Sequence, residues 1–451
     1  MQSTEIKMKI LLRQFAFILL FGSISVSIAS AQKAIVGNWE GAAVRQNAGM
    51  PLEMEFKGGE KGLTGSITIR SLGGLEIPLK TVSYQSPALK FELQTDAGNV
   101  VFNGTLSKNS LIGSWNLFGF DSQVSLKRAA AKPKPYTQEE VRCQNGDVTL
   151  AGTLLLPKTK NRHPALVFLH GSGATKRNIN RFLADHFARK GVAALIFDKR
   201  GTGSSTGNWR QSDFNDLARD AASCVEILKN RRDINKRQIG LIGASQSGWV
   251  APLVVSMSPN IAFMINVSGA FIPVAREGWW EAEFRLREKG FSPGEIEKAV
   301  ALLKQNDEVT RTGKGLAELE ASVERAKGER WFPLLEFGTP LPGNHPSRLS
   351  YRRVIDFDPL PVLEKLSVPS LWIYGGRDQT VPAMESAANL EKLKAQGKDI
   401  TVKIFPTANH QMFVIPEPNQ PFRWFGYAPG YLETIDEWLF KRVDTKTKQK
   451  S

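Results

Sequence analysis

The sequence has little cysteine, little histidine and only one long hydrophobic run. Its two cysteines, Cys143 and Cys224, are too few for a disulfide-rich scaffold or for an all-cysteine zinc or iron–sulfur site. With 39 glycines and 24 prolines in 451 residues, collagen-like and low-complexity classes are also excluded. What remains is the composition of a globular chain, 41 % hydrophobic and 23 % charged, long enough for two or three domains.

The hydrophobic run lies near the start of the chain. Basic residues, among them Lys9 and Arg13, precede a mostly apolar stretch from Phe15 to Ala29 that ends in small residues. This order is typical of a cleaved secretory signal peptide over residues 1–31, with Gln32 as the first mature residue. The run is shorter than the ~20 residues of a membrane span, so we expect no integral span. An uncleaved anchor is the alternative to a periplasmic or secreted protein.

The net charge of +15 is the feature that raises the question of a nucleic-acid partner. Part of this charge lies in a basic tail at residues 444–451 and in Lys132 and Lys134. The rest is spread along the chain and forms no focused stripe of the kind that follows a nucleic-acid backbone. We therefore expect a small-molecule partner and no nucleic acid.

The N-terminal third has a β pattern. Short alternating runs separated by glycines fill residues 32–128, and turn signals at intervals of about a dozen residues predict an all-β sandwich or small barrel. Trp39 and Trp115, near its two ends, are expected in its core. A change of composition at residues 129–137, with two prolines, predicts a stiff linker.

From residue 138 onward the pattern changes to apolar strands that alternate with amphipathic helices. A hairpin turning at Asn145-Gly146 comes first, followed by strands that are hydrophobic throughout, such as Ala165–Leu169. Strands of this kind, each followed by a helix, predict an α/β domain over residues 138–443, with a mostly parallel sheet and helices on both faces.

One segment, at about residues 275–345, contains helical patterns and no convincing strand. Ser292 and Glu295, with Pro293 between them, form a capping-box helix start. The position of this insertion predicts a lid over an active site. Its aromatic residues are expected mainly to pack inside it, with some available to line a pocket: Trp279, Trp280, Phe284, Phe291, Trp331 and Phe332.

The strongest chemical signal is a buried strand that runs into a helix through Gly243-Ala244-Ser245-Gln246-Ser247. A nucleophile elbow needs a sharp strand-to-helix turn with small residues two positions before and two after the serine. Gly243 and Ser247 meet this requirement around Ser245, whereas Trp249 would collide with a turn centred on Ser247. Ser245 is therefore the predicted nucleophile, although Ser247 replaces the usual second glycine.

The general base must come from the five histidines of the chain. The chain order of nucleophile, acid and histidine leaves His345 and His410. His410 follows an apolar strand and is the predicted base, whereas His345 is expected to be a loop residue of the insertion. Asp378 lies just past another strand and is predicted to orient the imidazole, with a turn-forming aspartate as the alternative.

The developing oxyanion would need backbone N–H donors. One is expected from Gln246, the residue after the nucleophile. The other is expected from the turn His170-Gly171-Ser172-Gly173 after an early strand, with Ser172 preferred and Gly173 as the alternative. His170 is expected to be a structural hydrogen-bonding residue.

Taken together, these motifs resemble the α/β-hydrolase superfamily, near its serine aminopeptidase-like and dienelactone-hydrolase-like branches. The likeness spans about residues 136–443 and rests on the turn at 170–173, Asp198–Ser205, the Ser245 elbow, Gly375–Asp378 and His410. It implies the α/β-hydrolase fold and a Ser-Asp-His triad. The N-terminal part resembles the β-rich domain that precedes such hydrolases in exported bacterial proteins, which implies nothing about its role.

The predicted function is that of an exported serine hydrolase, or carboxylesterase, which cleaves esters through an acyl-enzyme. One alternative is a serine aminopeptidase or acyl-peptide hydrolase, in which Glu277, Glu281 or Glu283 holds the substrate ammonium. Another is a non-catalytic binding protein whose β module engages a glycan or envelope polymer.

No cofactor or metal is expected. The glycines after Asp198 do not have the G-x-G-x-x-G spacing, and the chain has neither a phosphate-loop motif nor H-E-x-x-H. The sequence leaves open whether Cys143 and Cys224 form a disulfide or remain two buried thiols.

Overall fold

A computed structural model of the chain contains two compact units. It describes residues 33–59, 62–69, 75–95, 98–117, 119–131, 133–335, 338–415 and 421–445. Of these, the residues up to 133 and residues 421–425 form the first unit, and residues 134–415 and 426–445 form the second. The expected signal peptide at 1–31, Gln32 and residues 446–451 of the basic tail lie outside the described residues. Among the described helices, none is long and apolar enough to cross a membrane.

The first unit is a closed barrel of eight antiparallel strands, in which the first strand pairs with the last. The strands are β1 (Gly37–Arg45), β2 (Ala48–Gly59), β3 (Gly62–Ile69), β4 (Leu75–Gln85), β5 (Ala88–Thr95), β6 (Gly98–Ser107), β7 (Ser110–Leu117) and β8 (Phe120–Ala129). Side chains alternate between interior and solvent, as in β8, where Ser122, Val124 and Leu126 are buried and their neighbours are not. The expected all-β N-terminal domain is thus a barrel.

Aromatic side chains fill this barrel. Phe91 stacks on Phe102 with ring centroids 4.5 Å apart, and Trp115 meets Phe102 edge-on at 6.4 Å. Trp39 is 1 % exposed and its indole N–H donates to a backbone carbonyl 2.9 Å away. The indole N–H of Trp115 donates to Ser122 Oγ at 2.8 Å. Both tryptophans are core residues, as the sequence predicts.

A short segment from late in the chain belongs to this first unit. Phe422 packs edge-on against Phe120, with ring centroids 5.3 Å apart. The indole N–H of Trp424 donates to a backbone carbonyl of β2 at 3.0 Å. The range 138–443, expected to be one continuous catalytic domain, is therefore interrupted at 421–425, because these aromatic side chains pack on the barrel.

The second unit is built on an eight-stranded mixed sheet. Its strands are β9 (Tyr136–Asn145), β10 (Val148–Pro157), β11 (His163–Phe168), β12 (Ala193–Phe197), β13 (Ile234–Ala244), β14 (Ile261–Val267), β15 (Ser370–Gly375) and β16 (Ile400–Phe405). They lie in the order β16-β15-β14-β13-β11-β12-β10-β9, and all pairs from β16 to β12 are parallel. The antiparallel hairpin β9–β10 turns at Asn145-Gly146 as predicted, with a φ of 58° at the glycine. Two short strands, β17 (Phe413–Val414) and β18 (Gly426–Tyr427), form a separate pair.

The helices of the second unit cover both faces of this sheet or form the insertion between β14 and β15. They are α1 (Arg181–Arg189), α2 (Phe214–Lys229), α3 (Ser247–Met257), α4 (Val274–Glu288), α5 (Pro293–Thr312), α6 (Leu316–Ala326), α7 (Pro346–Arg352), α8 (Leu360–Leu363), α9 (Ala383–Ala395) and α10 (Tyr431–Phe440). Apolar residues of α2, α3 and α9 share one core with the sheet, and those of α1 and α10 share the other. The predicted α/β fold, with helices on both faces, is confirmed.

The insertion between β14 and β15 is helical, as predicted. Helices α4, α5 and α6 share their own apolar cluster around Leu286, Leu302 and Leu319. The capping box of Ser292 and Glu295 is present at the start of α5. Several aromatic side chains pack within the insertion; Trp280 stacks on Phe284 at 5.2 Å and Trp279 donates to Asp307 at 2.8 Å.

The two cysteines form a disulfide, which resolves the alternative that the sequence left open. Cys143 lies on β9 and Cys224 on α2, with Cα atoms 5.0 Å apart, and both side chains are fully buried. The bond joins residues that are 81 positions apart in the sequence. It therefore fastens a helix on one face to the edge strand of the sheet.

Removal of this disulfide is expected to destabilise the second unit. A cross-link that closes a long loop restricts the unfolded chain, and its loss costs typically about 2–4 kcal/mol. The variant Cys143→Ala/Cys224→Ala should therefore unfold at lower urea concentration than the oxidised protein. Reductant should lower the stability of the wild type and leave the double variant unchanged; an equal response of both proteins would contradict the assignment.

Candidate active site

Ser245 stands at the turn between β13 and α3 in a strained backbone conformation. Its φ is 56°, in the left-handed region that residues with a side chain rarely adopt. Its N–H donates to the carbonyl of Val267 at the end of β14, 2.9 Å away. The serine is partly accessible, whereas Ser247 two residues later is fully buried. This is the geometry that a nucleophile elbow requires.

The small residues around this turn are needed for close packing. A Cβ added at Gly243 would lie 2.5 Å from Ser247 Cβ and 2.8 Å from Leu169 Cβ, closer than real Cβ atoms approach. The hydroxyl of Ser247 donates to Asn266 Oδ1 on β14 at 2.9 Å. Ser247 thus replaces the usual second glycine as a small spacer whose polar group is satisfied inside the protein.

Asp378 and His410 form a hydrogen-bonded pair. His410 Nδ1 lies 2.8 Å from Asp378 Oδ2. The other carboxylate oxygen of Asp378 accepts from the backbone N–H groups of Thr380 and Val381, at 2.8 and 2.9 Å. The aspartate side chain is fully buried and the histidine side chain is 17 % exposed. The carboxylate is therefore fixed on one side by the backbone and presents its other oxygen to the imidazole.

The end of β14 brings the serine and the histidine loop to one place. Val267 binds the backbone of Ser245, and the next residue, Ser268, donates its hydroxyl to the carbonyl of His410 at 2.8 Å. Ser245, Asp378 and His410 follow the carboxyl ends of β13, β15 and β16, which lie at the same edge of the parallel sheet.

The other histidines near these motifs have structural partners. His345 Nδ1 accepts from the N–H of Ser347 at 3.2 Å and so caps α7. His170 Nε2 lies 2.6 Å from the carbonyl of Phe197. Burial lowers the pKa of His170 to about 4, so its imidazole is neutral at physiological pH. Both residues occupy the structural roles expected from the sequence.

The turn after β11 lies directly beside Ser245. A Cβ added at Gly171 would lie 3.7 Å from Ser245 Cβ, and Ser172, the next residue, is exposed. Gln246 is the N-cap residue of α3. Gln246 therefore directly follows the candidate nucleophile at the start of α3, and the turn that carries Ser172 lies beside it.

Comparison with known proteins agrees with this architecture. The model of the alpha/beta hydrolase family matches residues 166–423, more than half of the chain. This chain belongs to the alpha/beta hydrolase family. The match includes the elbow, the Asp378–His410 pair and the whole insertion between β14 and β15.

Individual relatives of this hydrolase are distant. Esterase EstD of Thermotoga maritima is 23 % identical over 323 residues, which cover 68 % of this chain and 69 % of that protein. Thiohydrolase aneE of Aspergillus aculeatus is 32 % identical over 135 residues, 30 % of this chain and 42 % of that protein. The solved α/β hydrolase GrgF from Penicillium is 20 % identical, with a TM-score of 0.44 over 68 % of this chain and 99 % of that one.

The loop after β12 contains charged residues whose roles the sequence analysis did not assign. The carboxylate of Asp198 accepts from the N–H groups of Arg177 and Ser204, at 2.9 and 3.0 Å. Arg200 forms a buried ion pair with Asp220 on α2, at 2.6 and 2.7 Å. Lys199 points toward the elbow and donates to Gly171 O and Gln246 Oε1. From the sequence alone, Asp198, Lys199 and Arg200 could be recognised only as a charged cluster after a buried strand.

The acidic residues at the start of the hydrolase's insertion differ in their surroundings. Glu281 pairs with Arg285 at 3.0 Å, and Glu283 pairs with Arg276 at 3.1 Å. Glu277 is mostly buried, and burial, followed by the charges of Glu281 and Asp378, raises its pKa to about 8. Glu277 is therefore close enough to Asp378 for the two carboxyl groups to interact electrostatically.

In the part of the chain that the structure describes, no group of three or more histidine, cysteine, aspartate or glutamate side chains could hold a metal ion.

The tight packing of the elbow leads to a stability test. Gly243→Ala forces a Cβ against Ser247 and Leu169 and should reduce the free energy of unfolding by about 1–3 kcal/mol. Gly278→Ala is the matched control, because this helical glycine of α4 has no neighbour within 4 Å of an added Cβ. That substitution should stabilise the protein by about 0.5–1 kcal/mol. Equal midpoints in chemical denaturation would show that the elbow is not closely packed.

Proposed function

We propose that this α/β hydrolase is an exported carboxylesterase that uses Ser245, His410 and Asp378 as a catalytic triad. The observation that carries the proposal is the strained, left-handed turn at Ser245. The N–H of Ser245 donates to Val267, and the next residue, Ser268, binds the loop of His410. Asp378 binds Nδ1 of that histidine, which leaves Nε2 free to accept a proton.

The proposed reaction begins with attack of Ser245 Oγ on the ester carbonyl. His410 Nε2 removes the hydroxyl proton as the bond forms, and Asp378 stabilises the resulting imidazolium. The tetrahedral intermediate collapses when His410 returns the proton to the departing alcohol, leaving an acyl-enzyme. Water, activated by the same histidine, then attacks the acyl group and releases the acid.

The oxyanion of each tetrahedral intermediate is proposed to bind the backbone N–H groups of Ser172 and Gln246. Gln246 follows the nucleophile and begins α3, so its N–H belongs to a helix N-terminus. Ser172 lies in the turn after β11, and the residue before it, Gly171, is beside Ser245. Donors fixed before the reaction stabilise developing charge without reorganisation.

An ester substrate is supported by the similarity to esterase EstD. Export is supported by the N-terminal sequence pattern and by the buried disulfide, since disulfides persist mainly in oxidising compartments. The helical insertion between β14 and β15 is proposed to be the lid. Together these features favour a periplasmic or secreted enzyme.

Substitution of the proposed nucleophile tests this function directly. Ser245→Ala should lower kcat for p-nitrophenyl esters by about 10⁴-fold or more, because the triad acts as a unit. Ser256→Ala is the matched control: it changes an exposed serine of α3, the helix that follows Ser245, whose hydroxyl donates to the carbonyl of Leu253. Near-complete activity of Ser245→Ala would contradict the proposal, and an inactive wild type would favour the non-catalytic binding protein.

A second candidate function is that of an aminopeptidase, favoured by the position of Glu277. A substrate ammonium bound there would offset the repulsion between this carboxyl group and Asp378. We expect esters to be hydrolysed faster than aminoacyl p-nitroanilides. Efficient anilide cleavage that falls by about 10-fold or more in Glu277→Gln, the loss of a charged hydrogen bond, would instead favour the peptidase.

A further inference from the structure

Lys199 is a buried cation beside the proposed oxyanion hole. It follows β12, is 2 % exposed and directs its ammonium toward the elbow. The ammonium donates to the carbonyl of Gly171 at 3.0 Å and to Oε1 of Gln246 at 2.8 Å. These two acceptors belong to the two segments that supply the proposed oxyanion donors.

In the described part of the chain, no ion pair compensates the positive charge of Lys199. Burial alone accounts for the lowering of its pKa to about 8, and the hydrogen-bond acceptors that the structure shows for it are neutral oxygens. The ring of Trp209 lies 5.6 Å from the ammonium. Keeping a cation buried with neutral partners is costly, so its presence calls for a role that an uncharged side chain would not fill.

The contact with Gly171 acts on the next residue through the peptide bond. The carbonyl of Gly171 and the N–H of Ser172 belong to one planar trans peptide group, so they point in opposite directions. A hydrogen bond to the carbonyl therefore fixes the direction of the N–H, and it also polarises the group and strengthens the N–H as a donor. The contact with Gln246 holds the residue that bears the other donor.

We propose that Lys199 is a positioning residue that orients both oxyanion donors, the N–H groups of Ser172 and Gln246, and adds a positive charge behind them. This inference rests on the proposed function, because it assumes that an oxyanion forms at Ser245. The charge acts through the Gly171–Ser172 peptide and Gln246, without direct contact with the substrate.

His170 and Asp220 line the same small cavity as Lys199, and Asp198 precedes Lys199 in the chain. Its neighbour Asp198 is bound by backbone N–H groups, and Asp220 on α2 is paired with Arg200. His170 from the preceding turn has a pKa of about 4 and stays neutral above that pH. A change in activity near pH 8 is assigned to Lys199 or to Glu277, whose pKa is also about 8, and substitution of each residue separates the two.

The test is the pH dependence of ester hydrolysis in five proteins: wild type, Lys199→Met, Lys199→Arg, Glu277→Gln and Lys394→Met. In the wild type, kcat should fall as the pH rises through about 8, because the ammonium loses its charge. Lys199→Met should lower kcat at pH 7 by about 10- to 100-fold with little change in KM, less than the ~10²–10³-fold cost of removing a direct donor. Its kcat should show no fall near pH 8.

The other three variants separate the charge of Lys199 from its packing and from the titration of Glu277. Lys199→Arg should restore part of kcat and keep it at alkaline pH, because a guanidinium does not titrate there. Lys394→Met, at an exposed position on α9, should match the wild type throughout. Glu277→Gln should retain the fall near pH 8.

The outcomes distinguish this inference from the proposed function. An inactive wild type would refute the esterase itself. An active wild type with constant kcat from pH 7 to 10, an unchanged kcat in Lys199→Met, or loss of the pH effect in Glu277→Gln would overturn the role of Lys199. The wild-type profile tests the inference even if a variant fails to fold.

Discussion

The left-handed backbone of Ser245 is the constraint around which the second unit is arranged. A residue with a side chain occupies this conformation only where its surroundings hold it. Here Gly243, the last residue but one of β13, allows Ser247 to approach, and the N–H of Ser245 is fixed by Val267 on the neighbouring strand. Burial of Ser247 against Asn266 then fixes the first turn of α3.

Polar contacts extend this arrangement across the edge of the sheet. Ser268, which also has a positive φ of 48°, holds the loop of His410 by its carbonyl, and Asp378 holds the imidazole. On the opposite side, Lys199 connects Gly171 with Gln246. The proposed nucleophile thus lies between two polar supports, one for the base and one for the oxyanion donors. Donors and charges that are held in place before the reaction are the main source of electrostatic catalysis.

Those parts of the site that depend on local motifs could be predicted from the sequence. The turn geometry singled out Ser245 over Ser247, and strand ends combined with chain order singled out Asp378 and His410. The fold class followed in the same way, because buried parallel strands and amphipathic helices have distinct patterns.

Contacts between distant residues could not be predicted in this way. Lys199 and Gln246 are 47 positions apart, and nothing local shows that a charged side chain turns inward after β12. The sequence pattern places Phe422 and Trp424 in the α/β domain. Their packing on the barrel is not visible in it, because it depends on residues hundreds of positions earlier in the chain. The pairing of Cys143 with Cys224 depends on the packing of α2 beside β9.

The proposed role of Ser245 is to form the covalent intermediate. Its most direct test is mass-spectrometric mapping of the protein after reaction with a fluorophosphonate, which phosphonylates an activated serine. We expect one adduct per chain, located on Ser245 in the peptide that carries Gly243 and Ser247. An adduct on another residue, or no adduct on folded protein, would contradict the account.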